Sequence, residues 1–278
     1  MRIRDGALRL WQRVPLSWRT GFAKSRFATP IRRILNSLYS ADPDIFPLSA
    51  PLEGYRMRLE WRSSKAFVFG TYEREVTSAL LRFVRPDWVV FDIGAHVGYF
   101  ALLLSKLVGP QGKVTAFEPF PLNFQALEEN IRLNNCSNVV IVNRAVAARS
   151  GTMTLRSNDK NQLTYTASLV QGQPIVDVEA VSIDDYTLRQ RARIQFAMLD
   201  VEGAEAEVLK GMRSTLRRDL PILLIELHGF DGSRESHPAL QELAAMNYRY
   251  QFLETPGAQV HVLAEPRGPG QDCGGVSG

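Results

Sequence analysis

From Trp88 onward the chain alternates two kinds of segment. Short apolar runs end in small or acidic residues, and longer stretches repeat apolar residues every three or four positions. "WVVFDIG", "KVTAFEP", "NVVIVNRAV", "IQFAMLDVEG" and "PILLIELHG" read as buried parallel strands. Between them, "YFALLLSKLV" reads as a buried helix stopped by "GPQG". "PLNFQALEENIRLNN" reads as an amphipathic helix with Phe124, Leu127, Ile131 and Leu133 inward. "AEAEVLKGMRSTLRR" and "PALQELAAMNYRY" read as two further helices, and "RYQFL" and "VHVLA" as closing antiparallel strands. This alternation predicts an α/β fold, a parallel sheet with helices on both faces.

The flanks are less regular. "TYEREVTSALLRFV" predicts a helix with Val76, Leu80, Leu81 and Val84 on one face. Ahead of it, "YRMRLEWRSS" and "AFVFG" look like strands, and the Pro-rich "ADPDIFPLSAP" reads as a linker. After the third strand, "GTMTLRS" and the polar stretch through "SIDDY" predict one or two extra strands with a loop between. The Pro/Gly-rich "EPRGPGQDCGGVSG" is expected to be disordered. The expected division is a basic arm and linker over 1–65, a main domain over 66–265 and a tail over 266–278.

Composition changes this picture in one respect. With 278 residues, 45% hydrophobic and 22% charged, the chain suits one large globular α/β domain. Its net charge of +4, however, is unevenly placed. Residues 1–40 hold nine Lys or Arg and a single acid, Asp5, so the remainder is net acidic. The body therefore gives no footing for nucleic acid, and no nucleic-acid partner is expected. In the arm, Trp11 and Trp18 stand among arginines, and Ile31, Ile34, Leu35 and Leu38 share a helical face. Such a segment suits peripheral contact with an anionic membrane surface or a partner. The plainer alternative is a helix packed on the domain with its arginines in solvent. No apolar run approaches a membrane span, and arginines interrupt any signal-peptide core, so a cytoplasmic location is expected, with the inner membrane face as the place for the arm. Cys136 and Cys273 lack partners at zinc-ligand spacing and read as free thiols.

The candidate chemistry begins at "DIGAHVG". A strand running through a glycine turn into a helix brings backbone N–H groups close to a ligand. Gly94 and Gly98 lie four residues apart, and the middle glycine of the dinucleotide fingerprint is missing. Asp92 precedes the turn, where a carboxylate would repel a pyrophosphate and suit a ligand with an ammonium or sulfonium group. Glu118 ends the next strand twenty residues after Gly98, placed to accept hydrogen bonds from ribose hydroxyls. Pro119 turns the chain and Phe120 is positioned for an adenine face. Together these point to S-adenosylmethionine, with an NAD(P)-dependent oxidoreductase as the alternative on the same architecture.

At this point the chain resembles the FkbM family of S-adenosylmethionine-dependent methyltransferases. "GTYEREV", "VVFDIGAHVGYF", "AFEPFPLNFQALEENIRLNN" and "LDVEGAEAEVLKGM" followed by "PILLIELHG" carry the resemblance over roughly residues 70–229. "SIDDY", with Asp184 and Asp185, also falls where the family tends to have such a segment. The resemblance implies a class I (Rossmann-like) methyltransferase fold, a seven-stranded, mostly parallel sheet with an antiparallel last strand. It implies methyl transfer, usually to a hydroxyl oxygen of a sugar or secondary metabolite, and hence a small-molecule or glycan acceptor. Two positions depart from the family pattern: His96 stands where Asn is frequent, and Met198 where Lys is frequent.

The expected cofactor residues are Asp92, Gly94, Ala95, His96, Gly98, Glu118, Pro119, Phe120 and Ala145. An alcohol acceptor needs a group to take its proton. Asp200 and Glu202 end one strand, and Glu226 and His228 end another. His228 is the first choice of base, because an unperturbed imidazole titrates nearest neutrality. Asp200 is the second choice. Glu202 and Glu226 would orient the base or, with Asp200, ligate a divalent metal ion. His96 is expected to shape its turn, while His237 and His261 stand apart from the chemistry. A non-catalytic protein that keeps the fold is a further alternative. Acceptor specificity is expected from the 157–180 loop and the N-terminal region.

Overall fold

The computed structural model describes residues 44–157, 173–229, 233–254 and 259–267. The basic arm, most of the 157–180 loop and the tail beyond Arg267 lie outside them. The chain divides into two compact units, one of residues 1–74 with 129–135, the other of 75–128 with 136–278.

In the first unit, strand β1 (Asp44–Pro47) pairs antiparallel with β2 (Arg56–Leu59), Phe46 opposite Met57. Helix α1 (Trp61–Phe69) follows and ends at Gly70 in the left-handed region, φ 64°. Two expectations are corrected here. The supposed linker is half of a hairpin, because Phe46, Leu48 and Leu52 are apolar anchors buried in the unit. The supposed strand "AFVFG" is the last part of a helix. Trp61 and Val68 lie two helical turns apart, and both are buried. Read alone, the apolar end of that helix imitates a strand. The free edge of β2 is covered by two asparagines: Asn134 Oδ1 accepts from Arg56 N (2.8 Å) and Asn130 Oδ1 from Arg58 N (2.7 Å).

The second unit begins with α2 (Arg74–Phe83). Then come β3 (Val89–Ile93), α3 (Tyr99–Val108), β4 (Lys113–Phe117), α4 (Pro121–Leu133) and β5 (Val139–Val142). Three strands, β6 (Ala145–Val146), β7 (Gly151–Ser157) and β8 (Gln173–Val181), precede α5 (Ile183–Gln190) and β9 (Phe196–Leu199). The chain continues through α6 (Glu205–Lys210), α7 (Arg213–Asp219), β10 (Ile222–Leu227), α8 (Pro238–Ala245), β11 (Tyr248–Leu253) and β12 (Val260–Pro266). Seven strands form one sheet in the order β11-β12-β10-β9-β3-β4-β5. β3, β4, β5, β9 and β10 are parallel, and β12 runs against both of its neighbours. This is the class I methyltransferase sheet. Beyond the first residues of β3, β4 and β10 its central strands are buried, which is why they read as apolar runs. Beyond β5, a separate three-stranded sheet has the order β6-β8-β7. Among the described residues no helix is long and apolar enough to cross a membrane.

Local readings differ in four places. Leu81 of α2 is half-exposed, while Ala79 joins Val76 and Leu80 inside. On α4, Asn123 and Asn130 share the buried face with Leu127 and Ile131, whereas Phe124 and Leu133 are only partly covered. "SIDDY" opens helix α5, capped by Ser182 Oγ, which accepts from Asp185 N at 3.1 Å. The eight-residue α5 is too short, and buries too few residues, to announce its period. The long helix expected after β9 is broken at Gly211, where a Cβ would stand 2.1 Å from the carbonyl oxygen of Ala147.

That break leaves α7 with its own N-terminus, and Asp184 caps it. Its Oδ1 accepts from Thr215 N and Thr215 Oγ1, both at 2.8 Å, and its Oδ2 from Ser214 N at 3.0 Å. Asp184→Ala is expected to lower stability by about 1–2 kcal/mol, the ordinary worth of an N-terminal cap. Asp184→Asn, which keeps an acceptor oxygen, should lose less. Urea unfolding of both variants measures the difference.

Candidate active site

The turn after β3 is built from close backbone contacts. Gly94 has φ 93°, and a Cβ there would lie 1.8 Å from the carbonyl oxygen of Asp200. Gly94 N and Ala95 N both donate to Phe117 O, at 3.0 and 2.9 Å, and Asp200 N donates to Ile93 O at 2.9 Å. The ends of β3, β4 and β9 are thus stitched together. Gly98, φ 96°, precedes α3 in the left-handed region that favours glycine and packs against the end of the Leu127 side chain. His96 takes a left-handed φ of 49°. Its backbone N–H donates to Glu118 Oε2 at 2.9 Å, which fixes the loop against the end of β4. Burial lowers the His96 imidazole pKa.

Glu118 is buried, and its oxygens are held by this bond, by Phe120 N (2.9 Å) and by Asn123 Nδ2 (3.4 Å) on Oε1. Burial pushes its carboxyl up to about 7 against the pull of those donors. Asn143 Nδ2 supports the turn from behind, donating to Glu118 O at 2.9 Å. Asp92 is 2% exposed, and its Oδ2 has no hydrogen-bond partner. Burial first, and the neighbouring Glu118 second, push the Asp92 carboxyl up to about 7. A buried carboxylate oxygen without a partner is costly, so it implies a donor or cation that the chain does not supply. A carboxylate has about four acceptor positions, so Glu118 keeps capacity for ligand hydroxyls. The chemistry of this pair fits S-adenosylmethionine, whose adenosine has two ribose hydroxyls and whose other end is cationic. Phe120 and Ala145 are buried together in an apolar cluster that also holds Ala147 and Leu155.

One strand over, the ends of β9 and β10 assemble a second group around His228. Nδ1 lies 2.8 Å from Glu205 Oε1, and Glu205 is fully buried. Nε2 faces Glu226 Oε1 at 3.3 Å, Glu202 Oε2 at 3.5 Å and Asp200 Oδ1 at 3.8 Å. Burial would lower the imidazole pKa, but the hydrogen bonds His228 donates to Glu205 and Glu226 and the charges of Asp200 and Glu202 push it up to about 11. His228 is therefore an imidazolium at neutral pH. The near-neutral titration expected of it belongs to an unperturbed ring, and four carboxylates remove it. Burial likewise opposes ionisation of Glu226, but His228 and His261 outweigh it and hold the carboxyl at about 2. Burial raises the Glu202 carboxyl.

All four expected catalytic residues meet here, but sequence reasoning missed three neighbours. Glu205 is the partner of His228. His261, buried on β12, reaches Glu226 Oε2 at 3.3 Å. His237 accepts from Ala239 N at Nδ1, so its Nε2 carries the hydrogen that reaches His228 O at 3.0 Å. His237 and His261 therefore belong to the cluster rather than standing apart from it. One atom each of Asp200, Glu226 and His228 lie within 4.8 Å of one another, a spacing that could hold a metal ion. On the cofactor side the sequence reading missed Asn123, the last residue of "EPFPLN", which meets Glu118.

Comparison with known proteins bears on this edge. The family model described as methyltransferase FkbM domain matches residues 92–250. Methyltransferase sdnD of Sordaria araneosa is 31% identical over 156 residues, 44% of this chain and 60% of its own length. The chain thus spans about three fifths of that relative. Hexuronic acid methyltransferase AglP of Haloferax volcanii is 26% identical over 196 residues, 66% of this chain and 74% of its own. 31-O-demethyl-FK506 methyltransferase FkbM of Streptomyces tacrolimicus is 28% identical over 224 residues, 67% and 84% of the two chains. The family match runs from Asp92 into β11, takes in every site residue named above except His261, and covers more than half of the chain, which belongs to the methyltransferase FkbM domain family.

Proposed function

We propose that this chain is an S-adenosylmethionine-dependent methyltransferase acting on a hydroxyl oxygen of a sugar, glycan or other small molecule. The observation that carries the reading is the partnerless buried carboxylate oxygen of Asp92 beside Glu118, at the same sheet edge as the cluster around His228. An acidic pair at the turn gives an NAD(P) pyrophosphate nothing to bind, which disfavours the oxidoreductase. The hexuronic acid and FK506 methyltransferases among the relatives support a hydroxylated acceptor.

In this reading Glu118 takes the ribose hydroxyls, Asp92 faces the cationic end, and the backbone from Gly94 to Gly98 closes around the ligand, with Pro119, Phe120 and Ala145 on the adenine side. When bound, S-adenosylmethionine supplies an electrophilic methyl group. Asp200, partly exposed at the end of β9, receives the acceptor's hydroxyl proton on its carboxylate. His228 holds its own proton and has no lone pair for another, so it serves Asp200 by charge and position. Glu205 and Glu226 anchor the imidazolium, and Glu202 lines the approach. A divalent cation is the second reading, favoured by the spacing of Asp200, Glu226 and His228; it would take the place of the proton on Nε2. The tryptophans among the arginines of residues 1–40 support peripheral contact with the inner membrane face.

Titration calorimetry with S-adenosylmethionine and, separately, NAD is the direct test; binding of the first alone is expected, and binding of NAD alone would sink the reading. Glu118→Ala should weaken cofactor binding at least ~10-fold, as expected for lost hydrogen bonds to a charged group. Asp200→Ala should lower turnover by about 10²–10⁴-fold, the usual worth of a general base, with cofactor affinity unchanged. Activity that survives exhaustive EDTA treatment would remove the cation reading.

The raised carboxyls also give a pH signature. Asp92 and Glu118 titrate near 7 in the folded chain and nearer 4 when unfolded, so the folded state binds more protons between those values. Stability of the ligand-free protein should therefore fall as pH rises from about 4.5 to about 7. Cofactor binding, which needs the ionised carboxylates, should strengthen over the upper part of that window. Thermal melting with and without S-adenosylmethionine reads both effects, and Asp92→Asn should flatten both slopes.

A further inference from the structure

A cavity of about 600 Å³ opens between α6 and the three-stranded sheet, outside every residue assigned above. Ala147, Arg149 and Met153 form one side, and Ala204, Lys210 and Arg213 the other. That size is in the range of small-molecule sites. At the break between α6 and α7, Gly211 lies against the carbonyl of Ala147, one of the lining residues.

Its walls are continuous with both halves of the candidate active site. Ala147 and Met153 belong to the apolar cluster that contains Phe120 and Ala145. Ala204 N donates to Val201 O at 3.3 Å, which makes its wall the turn that directly follows Asp200. Its charge is net positive. Three cations face two carboxylates, Glu207 in the lining and Glu242 behind it. Lys210 Nζ pairs with Glu207 at 2.6 Å and Arg213 with Glu242 at 2.5 Å, and the cationic heads are well exposed. Surface pairs of this kind are weak and exchange readily for a ligand anion. Arg149 has no carboxylate partner among the described residues. A neutral ligand offers that guanidinium only uncharged acceptors, whereas a carboxylate or phosphate would meet it with paired, charge-assisted hydrogen bonds.

We propose that this cavity binds the anionic part of the acceptor, and that the acceptor is a hydroxylated small molecule carrying a carboxylate or phosphate, such as a sugar acid or sugar phosphate. The proposal deepens the methyl-transfer reading and rests on it for the word acceptor. The test uses full-length protein with S-adenosylhomocysteine, titrated with glucuronate, glucose 6-phosphate and glucose. At least one of the anions should bind tenfold or more tightly than glucose, and the preference between them tells carboxylate from phosphate. Arg149→Ala with Lys210→Ala should erase that advantage, Arg149→Lys should keep much of it, and S-adenosylhomocysteine affinity should not change. Equal binding of the three sugars, no binding of either anion, or an anion preference that survives the double substitution would overturn the proposal. Failure to bind S-adenosylhomocysteine would instead overturn the methyl-transfer reading, and the anion preference would still judge the cavity.

Discussion

Gly94 and the carbonyl of Asp200 approach so closely that no other side chain fits, and both halves of the site depend on that contact. It sits where adjacent parallel strands, β3 and β9, end in register, Ile93 beside Leu199. The turn of one strand leans on the first residue past the other. A larger residue would separate the edge that holds Asp92 from the segment that carries Asp200 and Glu202. The rest of the second unit can be seen as support for this meeting. Phe91 and Phe117 pack edge-on with each other and with Tyr186 beneath it, and the central strands are buried on both faces.

Acidic groups gathered at one sheet edge reach two opposite electrostatic outcomes. Asp92 and Glu118 are buried without a counter-charge among the described residues, Glu118 held by backbone and amide donors, and their carboxyls shift upward. Glu226 is also buried, yet His228 and His261 bring positive charge to it and its carboxyl shifts downward. The difference lies in whether the chain supplies the counter-charge itself. The His228 group is electrostatically provisioned from within, and the Asp92 pair is left to be completed from outside.

What the sequence made legible follows from how local each feature is. Four of the five parallel strands, β3, β4, β9 and β10, and the turn at Gly94 are encoded within a few residues, and their reading as buried elements stands; β5, at the edge of the sheet, is a strand as expected but is only partly covered, with Val140 exposed. β1, α1 and α5 escaped because each is short and takes its apolar contacts from distant segments: Trp61 and Val68 declare a helix only once the polar turn between them is counted. The break at Gly211 depends on the carbonyl of Ala147, more than sixty residues earlier in the chain. The residues of the His228 group were visible as strand-end acids, but its protonation was not. That depends on Glu205 arriving from α6 and on Glu226 being fixed by Gln259 and His261 from the neighbouring strand.

The three-stranded sheet is hydrogen-bonded within itself and is separate from the seven-stranded one. It is inserted as one continuous stretch of chain between β5 and α5. Such an arrangement makes the fold modular in evolutionary terms. Residues on β7, and the length of the stretch joining β7 to β8, can drift while β6, with Ala145, and the large sheet keep the ligand edge. New acceptors could be reached by rewriting this one insert, with the chemistry inherited unchanged.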